Sequence, residues 1–113
     1  SFPYICLKQT NMGILDFFGF GDKSNQIAEF IERDAVIIDV RSYEEFAGGH
    51  IQNSKNIPLQ IIESKITDIK KLNKAVIVCC KSGMRSAQAN SILKRNGIET
   101  INGGGWQSLQ NKL

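Results

Sequence analysis

The stretch Ala75-Val76-Ile77-Val78-Cys79-Cys80-Lys81-Ser82-Gly83-Met84-Arg85-Ser86, continued by Ala87-Gln88-Ala89-Asn90-Ser91-Ile92-Leu93-Lys94-Arg95-Asn96-Gly97, decides how this chain is read. Ala75 to Val78 are apolar and mostly β-branched, which predicts a buried strand, and the segment from Ser86 predicts a helix that stops at Gly97. Ser86 is expected to cap that helix. Lys94 and Arg95 fall in its last turn, where the dipole favours cations, and Gly97 supplies a left-handed closing residue. A loop between a strand end and a helix start turns backbone N–H groups inward, so whatever sits in it should be anionic.

Cys80 is the natural occupant. As a thiolate beside Lys81, Arg85 and the helix start it should have a pKa below that of a free cysteine and act as a nucleophile at neutral pH. The bland alternative is a small buried hydrophobe ending a strand. The flanking lysine, glycine and arginine favour chemistry, and Ser82 with Gly83 permits a tight turn. Cys79 alternates to the opposite face of the strand and reads as core.

Beyond the helix, Ile98 to Ile101 predict a last short strand. The glycines at 103 to 105 are expected to turn the chain sharply, and Trp106, Leu109 and Leu113 to begin a closing helix. Trp106 is either packing or part of the site's mouth. Before the central stretch, Ile61, Ile62, Ile66, Ile69 and Leu72 recur at helical spacing between charged residues, describing one or two amphipathic helices over a sheet. Ser54 to Ile57 read as a short strand whose pairing Pro58 ends.

Ala35-Val36-Ile37-Ile38 is a second unbroken apolar run, as expected for a parallel strand covered on both faces. Two such runs bracketing helical stretches give an α/β class. Asp39 and Arg41 leave the carboxyl end of this strand, the edge where open parallel sheets bind ligands. Ser42-Tyr43-Glu44-Glu45 fits a capping box opening a helix of about two turns that Gly48-Gly49 closes, which already gives Glu45 a structural job. Ser24 or Asn25 is expected to cap a helix over Gln26 to Glu32, after a polar turn from Asp22 to Ser24. Upstream, Ser1 to Asn11 carry no signal-peptide pattern, and Met12 is a candidate native start. Gly13 to Gly21 read as a short aromatic element packing over the domain, with a membrane-surface or partner anchor as the alternative.

With 113 residues, a net charge of +3 from scattered basic residues, three cysteines and one histidine, the chain fits one domain. It is a poor candidate for nucleic acid, for a disulfide framework or for a metal site. No stretch is long and apolar enough to span a membrane. An exposed reactive thiol suits a reducing, cytoplasmic compartment.

Cys80-Lys81-Ser82-Gly83-Met84-Arg85-Ser86 resembles the active-site loop of rhodanese-like domains, sulfurtransferases whose loop commonly reads C-x-x-G-x-R-S. Three further segments fit the same family in order: Asp39-Val40-Arg41 with Glu45-Phe46 and Gly49-His50-Ile51, then Asn56-Ile57-Pro58-Leu59, then Asn102-Gly103-Gly104-Gly105-Trp106. The resemblance covers residues from about 25 to the C-terminus and leaves 1–24 as an extension, possible tag residues included. It implies a three-layer fold with a mostly parallel sheet of about five strands, a catalytic Cys80, a substrate-binding loop of Lys81, Ser82, Gly83, Met84, Arg85 and Ser86, and a hydrogen-bonded support made by Asp39, Arg41 and His50. It implies no cofactor. A sulfane sulfur would pass from thiosulfate or a persulfide-carrying protein to Cys80 and on to cyanide or a thiol, in a monomer or weak dimer. The rivals are a non-catalytic or sulfur-relay interaction module and, because related phosphatases place five residues between cysteine and arginine where this chain has four, less readily a cysteine phosphatase.

Overall fold

The computed structural model describes residues 23–113, so the expectations for the first 22 residues lie outside the described part. Helix α1 (Lys23–Glu32) buries Ile27 and half-buries Phe30 and Ile31. It takes in Ser24 and Asn25, so the helix starts earlier than the expected Gln26. Its far end closes through Asp34 in the left-handed region (φ 61°), with the Ala35 amide donating to the Phe30 carbonyl at 3.0 Å.

Then follow β1 (Val36–Asp39), α2 (Tyr43–Ala47), β2 (Lys55–Asn56), a 3-10 segment (Leu59–Lys65) running into α3 (Ile66–Lys71), β3 (Val76–Cys80), α4 (Met84–Arg95), β4 (Thr100–Gly105) and α5 (Trp106–Gln110). The isoleucine stripe thus divides between a 3-10 and an α segment. The described strands form one parallel sheet of four in the order β2-β1-β3-β4, against an expectation of about five.

The period of two along β3 sorts its side chains between two cores. Val76, Val78 and Cys80 face one layer with Ile38, Val40, Ile62, Ile69, Ala89 and Leu93. Ile77 and Cys79 face the other, against Ile27, Ile51, Ile101 and Leu109. β3 is buried along its whole length, and this is why its sequence reads as an unbroken apolar run.

The β3–β4 pairing slips by one residue: Val78 pairs with Asn102 and Cys79 with Gly104, leaving Gly103 as a bulge. The glycine run is therefore strand and not turn. A Cβ at Gly103 would lie 2.8 Å from Ile77 Cγ2, and one at Gly105 would lie 2.8 Å from the Lys81 carbonyl oxygen, so core side chains packed against the backbone explain the first glycine and close approach of two backbones the second. At the far end of α4, Gly97 does close the helix left-handed (φ 79°), with the Ile98 amide donating to the Leu93 carbonyl at 3.0 Å. Among the described residues no helix is long and apolar enough to cross a membrane.

Candidate active site

β3 delivers Cys80 to the carboxyl edge of the sheet, and the chain must reverse within three residues to start α4 at Met84. Gly83 makes that possible: its φ of 101° is one that L side chains rarely adopt, and an added Cβ would press on Gly104 Cα at 3.3 Å. α4 starts two residues earlier than expected. Ser86 is consequently not its cap but a fully buried first-turn residue turned toward the cysteine.

The loop wraps the sulfur. Cys80 Sγ accepts from the Gly83 amide at 2.9 Å and from the Ser86 amide at 3.4 Å, and it lies 3.4 Å from Ser86 Oγ. Burial alone would push the thiol up; hydrogen bonds from the Ser86 hydroxyl and from the amides of Ser86, Gly83 and Ser82 outweigh it, and the Cys80 pKa falls below the ordinary thiol value. Those dipoles are the inward-turned loop amides that the sequence leads one to expect, joined by the Ser86 hydroxyl. Cys80 is also less accessible than expected, at 1% exposure, because the loop closes over it and α4 covers its face of the sheet. Cys79 behaves oppositely: burial first, with Asp39 adding and Arg41 opposing, pushes its thiol up to about 12.

Asn102 fixes the loop in this shape. Its Nδ2 donates to the Gly83 carbonyl at 3.2 Å, while its Oδ1 accepts from Ser86 Oγ at 2.7 Å and from the Gly104 amide at 2.9 Å. One side chain thereby joins the loop, the first turn of α4 and the bulge. Sequence reasoning placed Asn102 in a family segment without a role; an amide in mid-strand beside a glycine run was the available signal.

Behind the edge lies an ion pair. Arg41 grips Asp39 with Nε at 2.9 and 3.0 Å and with Nη2 at 2.7 Å, and the same Nη2 donates to the Gly49 carbonyl at 2.7 Å. The guanidinium stacks 4.8 Å from the centre of the Trp106 ring, which assigns Trp106 to packing. Both charges are almost wholly buried, and removing either partner of such a pair costs about 3–5 kcal/mol. His50 is not among these supports. Its ring is exposed, stacked on Phe46 at 3.7 Å, with Nδ1 2.7 Å from the Phe46 carbonyl.

The capping box forms: Glu45 accepts from the Ser42 amide at 3.1 Å and Ser42 Oγ accepts from the Glu45 amide at 3.2 Å. The same carboxylate also holds Arg85, with Nη1 at 2.8 Å and Nη2 at 3.1 Å. Arg85, followed by the Ser42 amide, holds Glu45 at about 2. Because both side chains are more than a third exposed, the pair itself is worth only ~0–1 kcal/mol. Lys81 is exposed and forms no ion pair with a described residue, and Ser82 and Met84 are exposed on the rim.

Residues 24–112 match the family described as the rhodanese-like domain. The chain belongs to that family. A rhodanese-related protein from Thermoplasma volcanium has the same fold, with a TM-score of 0.66 and 31% identity over 79% of this chain and 88% of its own. A putative mitochondrial thiosulfate sulfurtransferase of Schizosaccharomyces pombe is 33% identical over 73% of this chain and 68% of its own length. An uncharacterized Bacillus subtilis protein, YqhL, is 39% identical over 61% of this chain, which spans about half, 54%, of that relative. The parallel sheet and its helical layers are those of the rhodanese-like fold.

Proposed function

We propose that this rhodanese-like domain, residues 25–113, is a sulfurtransferase that carries sulfane sulfur on Cys80, with thiosulfate or a persulfide as donor and cyanide or a thiol as acceptor. The observation that carries the reading is the convergence of loop amides on Cys80 Sγ. The Cys80 thiolate attacks the outer sulfur of thiosulfate, forming a new S–S bond. The bond to the sulfonate sulfur breaks, and its electron pair leaves with sulfite. The persulfide keeps one negative charge, held by the amides of Ser82, Gly83 and Ser86 in the manner of an oxyanion hole. Cyanide then attacks the terminal sulfur, thiocyanate departs and the thiolate is restored.

Lys81 supplies the long-range attraction for an anionic donor. Met84 and Ser82 form the rim, Ser86 contributes its amide and hydroxyl, and Asp39 with Arg41 holds the strand end beneath. A cysteine at 1% exposure suits a donor presenting a single terminal sulfur. The four residues between Cys80 and Arg85 support sulfur over a tetrahedral phosphate for the same reason. A reducing compartment such as the cytoplasm keeps the thiol available.

Cys80→Ser should abolish thiocyanate formation from thiosulfate and cyanide while circular dichroism and melting stay close to wild type. Turnover at the wild-type rate in that variant refutes the assignment.

A further inference from the structure

The arginine of the loop arrives already partnered. Glu45 and Arg85 are 40 positions apart in sequence, yet Arg85 Nη1 donates to Glu45 Oε1 and Nη2 to Oε2 in a bidentate pair. Glu45 Oε1 also accepts from the Ser42 amide and hydroxyl, each at 3.1 Å, so the helix cap holds the carboxylate in place for the arginine. Arg85 directly precedes Ser86, whose amide donates to Cys80 Sγ at 3.4 Å, so the arginine springs from the turn that holds the sulfur. Among the described residues the rim thus carries one compensated cation, Arg85, and one without an ion-pair partner, Lys81.

We infer that Glu45 is a specificity-determining residue for donor charge: by neutralising Arg85 at the mouth, it disfavours doubly charged donors such as free thiosulfate relative to donors of lower charge. This rests on the sulfur-transfer reading of Cys80. Glu45 touches no substrate and acts through Arg85. The effect follows from Coulomb's law, since a fixed negative charge near the approach opposes a dianion twice as strongly as a monoanion.

Glu45→Gln isolates the charge. Glutamine also serves at the third position of a capping box, so α2 keeps its cap while the rim gains one positive charge. Steady-state rates are measured with cyanide as acceptor and either thiosulfate, a dianion, or benzenethiosulfonate, a monoanion, as donor. At low ionic strength the variant should lower KM about fivefold for thiosulfate and about twofold for benzenethiosulfonate, with the gap closing as salt is added. The effect should fall on KM and not on kcat. Glu44→Gln removes a charge from the same turn without breaking a bond to Arg85, and should shift the two donors far less unequally.

Equal changes for both donors, or none, overturn the role of Glu45 while leaving sulfur transfer standing. Wild-type protein that turns over neither donor overturns both. Should Glu45→Gln melt below the assay temperature, the salt dependence of the wild-type KM for thiosulfate decides: a compensated rim gives a shallow slope, and a steep slope typical of two free cations contradicts the inference.

Discussion

The Ser86 hydroxyl donates to Asn102 Oδ1 at 2.7 Å while its oxygen lies 3.4 Å from Cys80 Sγ. A hydroxyl has one proton, and a thiolate competes with the amide oxygen for it. When Cys80 is ionised and Ser86 turns to it, the Gly104 amide still satisfies Asn102 Oδ1. The arrangement therefore lets the sulfur take up or shed negative charge without orphaning a buried polar atom.

Asn102→Asp keeps the acceptor oxygen but places a carboxylate beside Ser86, opposing ionisation of Cys80. The rate of Cys80 alkylation by iodoacetamide, followed against pH, should show a wild-type midpoint below the ordinary thiol range and a variant midpoint moved upward. Asn102→Ala removes the bonds to Gly83, Ser86 and Gly104 together, and should lower kcat/KM by about tenfold or more through loss of the preorganised loop.

The two glycines that admit close approach should fail differently. Gly103→Ala drives a methyl against Ile77 and Leu109, and should cost about 1–3 kcal/mol, read as a fall in the melting midpoint. Gly105→Ala meets the Lys81 carbonyl at the root of the loop, so its loss of sulfur-transfer rate should exceed what its melting shift explains.

Asp39→Ala leaves the Arg41 guanidinium buried without its partner and should destabilise the domain by about 3–5 kcal/mol in urea unfolding. The exposed pair Arg33–Glu99 is the contrast: Glu99→Gln should cost at most about 1 kcal/mol.

The adjacent cysteines should separate by pH. Cys79 has its folded-state pKa raised to about 12, so its contribution to stability is fully present below the unfolded thiol's pKa and is lost as pH rises from about 8.5 toward that folded value. Cys80 has the opposite sign: its contribution is present above the unfolded pKa and is lost as pH falls through the lowered folded value. Urea unfolding from pH 8 to 11 should show an alkaline loss of stability that Cys79→Ala flattens and Cys80→Ser does not.

Much of this was legible in the chain because the deciding signals are local. The apolar runs of β1 and β3, the Ser42 capping box and the Gly97 closure each involve neighbours in sequence, and each stands in the fold. The period of two sets Cys79 and Cys80 on opposite faces in the sequence alone, and they pack in different cores. What escaped was long-range. The Glu45–Arg85 pair and the Asn102 ties to Gly83 and Ser86 join segments 16 to 40 residues apart, and no local spacing announces them. The glycine run reads as a turn in the sequence because glycine signals both freedom and close approach; only the packing of Ile77, Leu109 and Lys81 against it separates the two.

The most direct test is the intact mass of the protein after exposure to thiosulfate, followed by peptide mapping. Sulfur held by the Cys80 cradle predicts a gain of one sulfur atom on the peptide bearing Cys79 and Cys80, retained in Cys79→Ala, lost in Cys80→Ser and discharged by cyanide as thiocyanate. No gain of sulfur, or a gain that survives Cys80→Ser, contradicts it.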